Sequence, residues 1–413
     1  MAHGSFLERA RHEREHDCDT SSRLALGGYL VARLVDQMLL AAQGPEARSG
    51  FLWQLDAVRR HVHGLPVDVP EAAHLCGITD AVPVDKQPLS GLRLSLTAYA
   101  YFLEHEGRLD EALDILMLAA RTHGSELPPA DFAATALFAG RLNRVLARWD
   151  VATRCYQGAE QAGRLAHDPV AALRGQLGCG AVLRGQGNLP RAREVAEGVV
   201  AEAGSLRLAD VQAMAYIDLG AVLVQQGLPV EAVQAKYQAF RLTEDNLQRM
   251  HYLGDLGVGL SELGEYEGAR TAFELVVASN TSFLVRTNAV LELMELESVV
   301  NNRMAFERRR ADAEAVRERM PPSMTADFHF KAGVSLARFG SLARAREFLG
   351  AGMQLAEAHH LNAWYFRFER VLSNLAAGCG SREPEHAEPV AQPQSPAVQE
   401  VAVGLREYAL LAT

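Results

Sequence analysis

Gly180-Ala-Val-Leu-Arg-Gly-Gln-Gly187-Asn-Leu-Pro-Arg-Ala192 is answered 40 residues later by Gly220-Ala-Val-Leu-Val-Gln-Gln-Gly227-Leu-Pro-Val-Glu-Ala232. The alanine that closes each stretch belongs to a series, Ala112, Ala152, Ala192 and Ala232, with a constant step of 40. The glycine pair returns as Gly257 and Gly264 and as Gly333 and Gly340. A leucine or aromatic follows the second glycine by two positions and an alanine follows it by five, as in Gly107-Arg-Leu109-Asp-Glu-Ala112 and Gly264-Glu-Tyr266-Glu-Gly-Ala269. A period of this length means stacked supersecondary units rather than one globular core. Glycine inside a helix costs about 1 kcal/mol against alanine, so its recurrence marks close approach of two backbones. The second glycine of each pair suits a left-handed helix cap, and the alanine lets the next helix pack back tightly. Each unit therefore reads as a helix hairpin.

This pattern resembles the tetratricopeptide repeat family over about residues 93–358, with units near 93–124, 133–166, 173–206, 213–245, 250–280, 288–320 and 326–358. In the sixth unit Glu295 and Glu307 stand where small residues are expected. The resemblance implies an all-α fold, a right-handed α-solenoid of about seven hairpins preceded by an N-terminal helical bundle or cap. Within the family it is similar to bacterial MalT-like and peptide-sensor-like repeat regions.

Composition agrees with helices throughout. Aromatic residues make up 7% of the 413, and no alternating strand pattern with hairpin turns stands out. A net charge of −10 leaves no broad basic field for nucleic acid. The five cysteines, Cys18, Cys76, Cys155, Cys179 and Cys379, are odd in number and form no CxxC pair, the pattern of reduced, buried thiols. The charged start lacks the apolar core of a signal peptide, and the apolar run 29–42 is interrupted by Arg33 and Asp36. A cytoplasmic protein without a membrane partner is expected.

In chain order, residues 1–21 form a charged segment containing His12-Glu13-Arg14-Glu15-His16. This stretch satisfies both HExxH and HxxEH, with His12 and His16 as candidate zinc ligands. A zinc hydrolase would need a third ligand and a cleft; the alternative is a solvated helix, and no metal or cofactor is assigned. Residues 22–65 read as two amphipathic helices carrying Leu30, Leu34, Met38 and Phe51, Leu55, Val58, Val62. They form either a cap on the solenoid or an effector-contacting bundle. Residues 66–90 are a proline-rich linker with room for a short helix near Glu71, and 91–358 hold the repeats. Residues 359–377 read as a capping helix bearing Trp364, Phe368 and Leu372, and 378–400 as a disordered tether. Residues 401–413 carry a short apolar motif with Val401, Leu405 and Tyr408.

The resemblance also implies which residues line a concave groove. The first helix of each unit faces inward, which nominates Tyr101, Glu104, Arg141, Arg144, Arg174, Arg184, Met214, Ile217 and His251, with Val224 and Phe330 beside them. Guanidinium forks match carboxylates, so the implied ligand is a protein or peptide with acidic residues or a free C-terminus. The alternative for each arginine is a salt bridge to a neighbouring helix. The function expected is a binding scaffold or adaptor and not an enzyme, with a ligand-responsive regulator whose solenoid changes pitch as the alternative. The C-terminal motif could dock on its own chain, on a second copy or on another protein, or have no role.

Overall fold

The computed structural model describes residues 3–16, 18–41, 45–83, 88–123, 127–359, 361–377 and 395–412. Its described elements are α-helices and one short 3-10 turn, Arg317–Arg319, with no strand among them. They fall into two compact units, Met1–Gly187 and Asn188–Thr413.

The first unit holds α1 (Gly4–Glu15), α2 (Asp19–Ala41), α3 (Pro45–His63), α4 (Pro70–Ala81), α5 (Ser90–His105), α6 (Leu109–Arg121), α7 (Pro129–Val145), α8 (Trp149–Leu165) and α9 (Pro169–Gly185). Helix α4 lies within the stretch read as a linker; Pro70 opens it at a position where no backbone donor is missed. The amphipathic faces of α2 and α3 pack inward: Leu34, Phe51, Leu55, Val58 and Val62 are buried, and Leu30 and Met38 lie against them. Phe6 of α1 is fully buried in the same core, against Gly28, so the charged N-terminal segment is anchored rather than merely solvated. The hairpins are α5–α6 and α7–α8, and α9 packs on both α7 and α8.

The second unit holds α10 (Leu189–Ser205), α11 (Ala209–Gln225), α12 (Pro229–Leu242), α13 (Asn246–Glu262), α14 (Tyr266–Ala278), α15 (Phe283–Val299), α16 (Arg303–Glu314), α17 (Pro322–Arg338), α18 (Leu342–Ala358), α19 (Asn362–Ala376) and α20 (Pro396–Ala412). Hairpins α11–α12, α13–α14, α15–α16 and α17–α18 stack in order, and α19 caps the last of them with Phe368, Val371 and Leu375 buried.

The repeat signature has the physical basis read from it. A Cβ on Gly220 would come within 3.4 Å of the Ala232 carbonyl oxygen, and one on Gly333 within 3.3 Å of that of Ala345. The cap that ends the first helix of a repeat is made by one left-handed residue, and the same position recurs seven times: Gly107, Ala147, Gly187, Gly227, Gly264, Asn301 and Gly340 all have φ between 54° and 79°. The next amide closes the cap onto the carbonyl five residues back, as Arg108 does to Leu103 (2.8 Å) and Glu265 to Leu260 (2.9 Å).

One register assignment is corrected. In the sixth hairpin the position of the packing glycine, seven before the cap, is Met294, and that of the packing alanine is Phe306, both fully buried. Glu295 and Glu307 are their neighbours and face ion pairs, Glu295 with Arg338 and Glu307 with Arg310 and Arg344. The step to this hairpin is 37 residues (Gly264 to Asn301), so a fixed period misses it by a few positions.

Candidate functional site

Within the second unit the first helices of successive hairpins touch one another, α13 with α15 and α15 with α17, whereas the second helices make no such extended contact among the described residues. In the first unit α7 touches α9 in the same way. The first helices therefore crowd one side of each stack, and their side chains turned away from the hairpin partner form the surface on that side.

On the first unit's surface, three of the nominated residues meet. The Tyr101 ring, half exposed, stacks on Phe138 at 4.2 Å with the planes 16° apart. The Arg141 guanidinium lies 4.9 Å from the Phe138 ring centre and 5.8 Å from that of Tyr101, and it donates to Glu104 at 2.6 Å. The charge of Arg141 is thus already balanced, and the feature is an aromatic shelf edged by an ion pair. Arg144 follows one turn later, and Arg184 holds the equivalent place 40 residues on, three before its cap as Arg144 is three before Ala147. Both are half-buried, and Arg174 is exposed. No described acid or carbonyl pairs with these three guanidiniums, and the Arg144 Nε is buried without a hydrogen-bond partner.

The second unit's surface is different in sign. Met214 and Ile217 are half-buried and His251 is exposed, but Phe330 is only 5% exposed and belongs to the core. The residues that sequence reading missed are Asp218, Asp255, Glu292 and Lys331, each nine positions before its cap on α11, α13, α15 and α17. Counting back from the caps, rather than forward in a fixed period, would have found them. Lys331 reaches Glu292 at 2.6 Å and Asp327 at 3.1 Å. Burial pushes the Glu292 carboxyl up despite the pull of Lys331. Burial, reinforced by Asp210, Asp218 and Asp255, raises the Tyr252 phenol to about 12.

A second missed feature lies in the first unit. The Glu71 carboxylate on α4, 4% exposed, accepts hydrogen bonds from Arg9 (2.9 Å), from both terminal nitrogens of Arg108 (2.7 Å each) and from the Tyr99 hydroxyl (2.8 Å). Burial alone would raise this carboxyl; Arg108 and Arg9 outweigh it and hold it below the usual range. Arg9 also donates to Glu111 on α6. His3 sits between Asp114 of α6 (2.7 Å) and Asp36 of α2 (3.1 Å). These charges tie α1, α2 and α4 to the first hairpin.

Among the described residues the His12–His16 pair gathers no third metal ligand. Both rings are exposed and stacked at 4.4 Å, and His16 Nδ1 donates to the His12 carbonyl at 2.8 Å. Among the described residues no group of three or more His, Cys, Asp or Glu is placed to hold a metal. The thiols are free, with Cys18 exposed, contrary to the expectation of burial, and Cys76, Cys155 and Cys179 half-buried; Cys379 lies outside the described residues. Burial with nearby Glu160 lifts the Cys179 thiol to about 11. No described helix is long and apolar enough to cross a membrane.

Val401 and Leu405 are buried, 2% and 0% exposed, because α20 packs against α12 and α14 of its own unit; Tyr408 meets Phe240 edge-on at 5.0 Å. Both α12 and α14 are second helices, so the motif lies on the second-helix side of the stack and away from the first-helix surface. The stretch 378–394 that leads to it lies outside the described residues.

No protein-family model matches the chain, and no curated protein matches it. Solved structures do. The apo form of the quorum sensor NprR from B. thuringiensis is similar at 12% identity with a TM-score of 0.48, over 86% of this chain and 97% of that one. A Rap protein complexed with competence and sporulation factor is similar at 11% identity and a TM-score of 0.45, over 82% of this chain and 98% of that one. The Rap conjugation gene regulator of plasmid pLS20, in complex with the Phr* peptide, is similar at 14% identity and a TM-score of 0.46, over 81% of this chain and 96% of that one.

Proposed function

We propose that this chain is a protein- or peptide-binding repeat scaffold, and that the first-helix surface of its first unit takes a carboxylate. Arg144 and Arg184 carry this reading. They occupy equivalent places in successive repeats, both half-buried, and no described group pairs with either. A guanidinium so placed has lost part of its hydration without gaining a partner, and a ligand carboxylate supplies one in the bidentate geometry that arginine favours. The Tyr101–Phe138 shelf beside them offers an apolar platform for a neighbouring ligand side chain. Binding, not bond-making, is the work; the reading involves no cofactor, nucleic acid or membrane, and it places the protein in the cytoplasm.

The test uses fluorescent peptides ending in Asp or Glu with a free C-terminus, against amidated, neutral counterparts. The free-acid peptides bind the full chain more tightly. Each of Arg144→Gln and Arg184→Gln weakens them by about tenfold or more, the range of a charge-assisted hydrogen bond worth about 1.5–3 kcal/mol. Equal binding of acid and neutral peptides, or unchanged affinity in both variants, removes the proposal.

A second reading, a peptide-responsive bacterial regulator of the MalT-like or peptide-sensor-like kind, is favoured by the buried charges at Glu71 and Glu111. They couple α1 and α4 to α5 and α6, so a ligand that shifts the first hairpin strains these contacts. Hydrogen exchange across α1 and α4 with and without bound peptide tests it: altered protection is expected, and identical protection counts against it.

A further inference from the structure

The row formed by Asp218, Asp255, Glu292 and Lys331 is not uniform. At its far end the chain supplies its own cation: the Lys331 ammonium of α17 reaches Glu292 of α15 at 2.6 Å while holding Asp327 at 3.1 Å. The Lys331 side chain is only 11% exposed, so an ammonium is seated between two first helices and largely withdrawn from water. At the same place, nine residues before the cap, α13 carries Asp255 where α17 carries Lys331, and α11 carries Asp218 where α15 carries Glu292. The α15–α17 junction thus sets an acid against a lysine, and the α11–α13 junction sets an acid against an acid.

The second of these junctions also differs in packing. Helix α13 touches α15 and α15 touches α17, but α11 and α13 make no such extended contact among the described residues. Tyr252 of α13 marks the opening. It is 8% exposed, and its hydroxyl has no hydrogen-bond partner among the described residues. After burial itself, the groups that raise its phenol are carboxylates from both sides: Asp210 and Asp218 of α11, Asp255 of α13, and Asp245 at the N-cap of α13. Two of the four are engaged. Asp210 accepts from the Thr243 hydroxyl (2.9 Å) and the Glu244 amide (3.0 Å), and Asp245 from the Leu247 and Gln248 amides (2.7 and 3.0 Å). Asp255 is exposed, and neither nearby cation, Lys236 or His251, forms an ion pair with it; the Lys236 ammonium donates instead to the Asp255 main-chain carbonyl at 3.1 Å. Among the described residues no three of these groups are placed to hold a metal ion, so the cation that fits is an organic one.

We propose that the α11–α13 opening seats a basic side chain of a protein or peptide ligand, held by Asp218 and Asp255 beside the Tyr252 phenol. The ligand's ammonium or guanidinium takes the part that Lys331 plays at α15–α17, gaining charge-assisted hydrogen bonds and an aromatic neighbour. The proposal rests on the reading of the chain as a peptide-binding scaffold. It does not rest on Arg144 and Arg184, which serve the opposite charge in the other unit.

The experiment uses two fluorescent peptides blocked at both ends, so that neither has a free carboxylate: one is rich in lysine, and in the other every lysine is acetylated. The full chain is expected to bind the lysine peptide about tenfold more tightly than the acetylated one. Asp218→Asn combined with Asp255→Asn is expected to abolish that difference. Glu194→Gln combined with Glu357→Gln removes the same net charge from exposed places on α10 and α18 and is expected to preserve it. Equal binding of both peptides to the unaltered chain overturns the proposal. So does an equal loss in the two double variants, which would mark a general attraction to an acidic protein. Because the peptide ends are blocked, the result is separate from the carboxylate test on the first unit, and either can fail alone. Urea unfolding of the ligand-free chain gives a second measurement. Asp255→Asn is expected to raise the midpoint by relieving repulsion between like charges. A lowered midpoint means that Asp255 is held by a partner in its own chain, and it overturns the proposal.

Discussion

Ala147 offers a clean measure of what the repeat architecture costs and gains at its bends. It occupies, with φ 54°, the place that glycine holds in five of the seven caps. The left-handed region costs an L-residue about 1–2 kcal/mol. Replacing Ala147 with glycine removes that cost but restores freedom to the unfolded chain, worth about 0.4–1 kcal/mol in the opposite direction. The net expectation is a stabilisation of about 0.5–1 kcal/mol. The reciprocal changes, Gly107→Ala and Gly227→Ala, isolate the same term, because a Cβ at either position meets nothing within 4 Å and so adds no clash. They are expected to destabilise by a similar amount. Asn301→Gly should gain less than Ala147→Gly, since asparagine tolerates this region better than alanine. Urea unfolding followed by circular dichroism and by the fluorescence of Trp149, two residues from the cap, reads these changes as shifts in midpoint at constant slope. If Ala147→Gly lowers the midpoint, or if the reciprocal changes leave it unmoved, the bends are not set by backbone conformation and the argument fails.

Three further outcomes follow from the buried charges. Lys331→Met strips the partner from Glu292 and Asp327; the loss of stability expected is about 3–5 kcal/mol, and restoring neutrality with Glu292→Gln in the same chain should recover part of it in a double-mutant cycle. Glu71→Leu leaves Arg108 and Arg9 facing an apolar side chain and is expected to cost a similar amount, with the earliest loss of hydrogen-exchange protection in α1 and α4. The third concerns pH. Burial would lower the His3 pKa, but Asp114 and Asp36 outweigh it and raise it above 6.5. Its contribution is therefore complete below about pH 6.5 and fades as pH rises through the raised value. Amides of α1 should exchange faster at pH 8.5 than the intrinsic rate change explains, and His3→Ala should abolish that difference; an unchanged profile in the variant refutes the assignment.

The hairpins were legible in the sequence because their determinants are local. A left-handed bend needs glycine within a narrow position, and a close helix crossing needs glycine facing alanine, so both leave a periodic mark. Where the bend is made by Ala147 or Asn301, the mark disappears while the conformation persists. In the sixth hairpin Met294 and Phe306 also replace the packing pair, and the 37-residue step carries a fixed period past them. Tyr101, Glu104 and Arg141 were nominated separately, and their meeting with Phe138 depends on how α5 and α7 lean together, which no spacing reveals. The Glu71 cluster draws on residues 9, 71, 99, 108 and 111, separations far beyond any local pattern, and its members look in sequence like ordinary surface charges. The α20 contact was recognisable as an amphipathic motif, but its address on α12 and α14 is encoded by Tyr237 and Gly268, more than a hundred residues away.

The Met294–Phe306 pair in the sixth hairpin has a bearing on how such chains are engineered. Averaging the repeats would write glycine and alanine at these two places, as in the neighbouring hairpins. Both side chains are fully enclosed in a core shared with Leu291, Phe328 and Leu336, so the averaged sequence would hollow out that core rather than idealise it. Aromatic-to-alanine truncation in such a setting costs about 3–5 kcal/mol. The two positions form a single heritable choice, small with small or large with large. A consensus protein built from this array must copy them together or leave them alone.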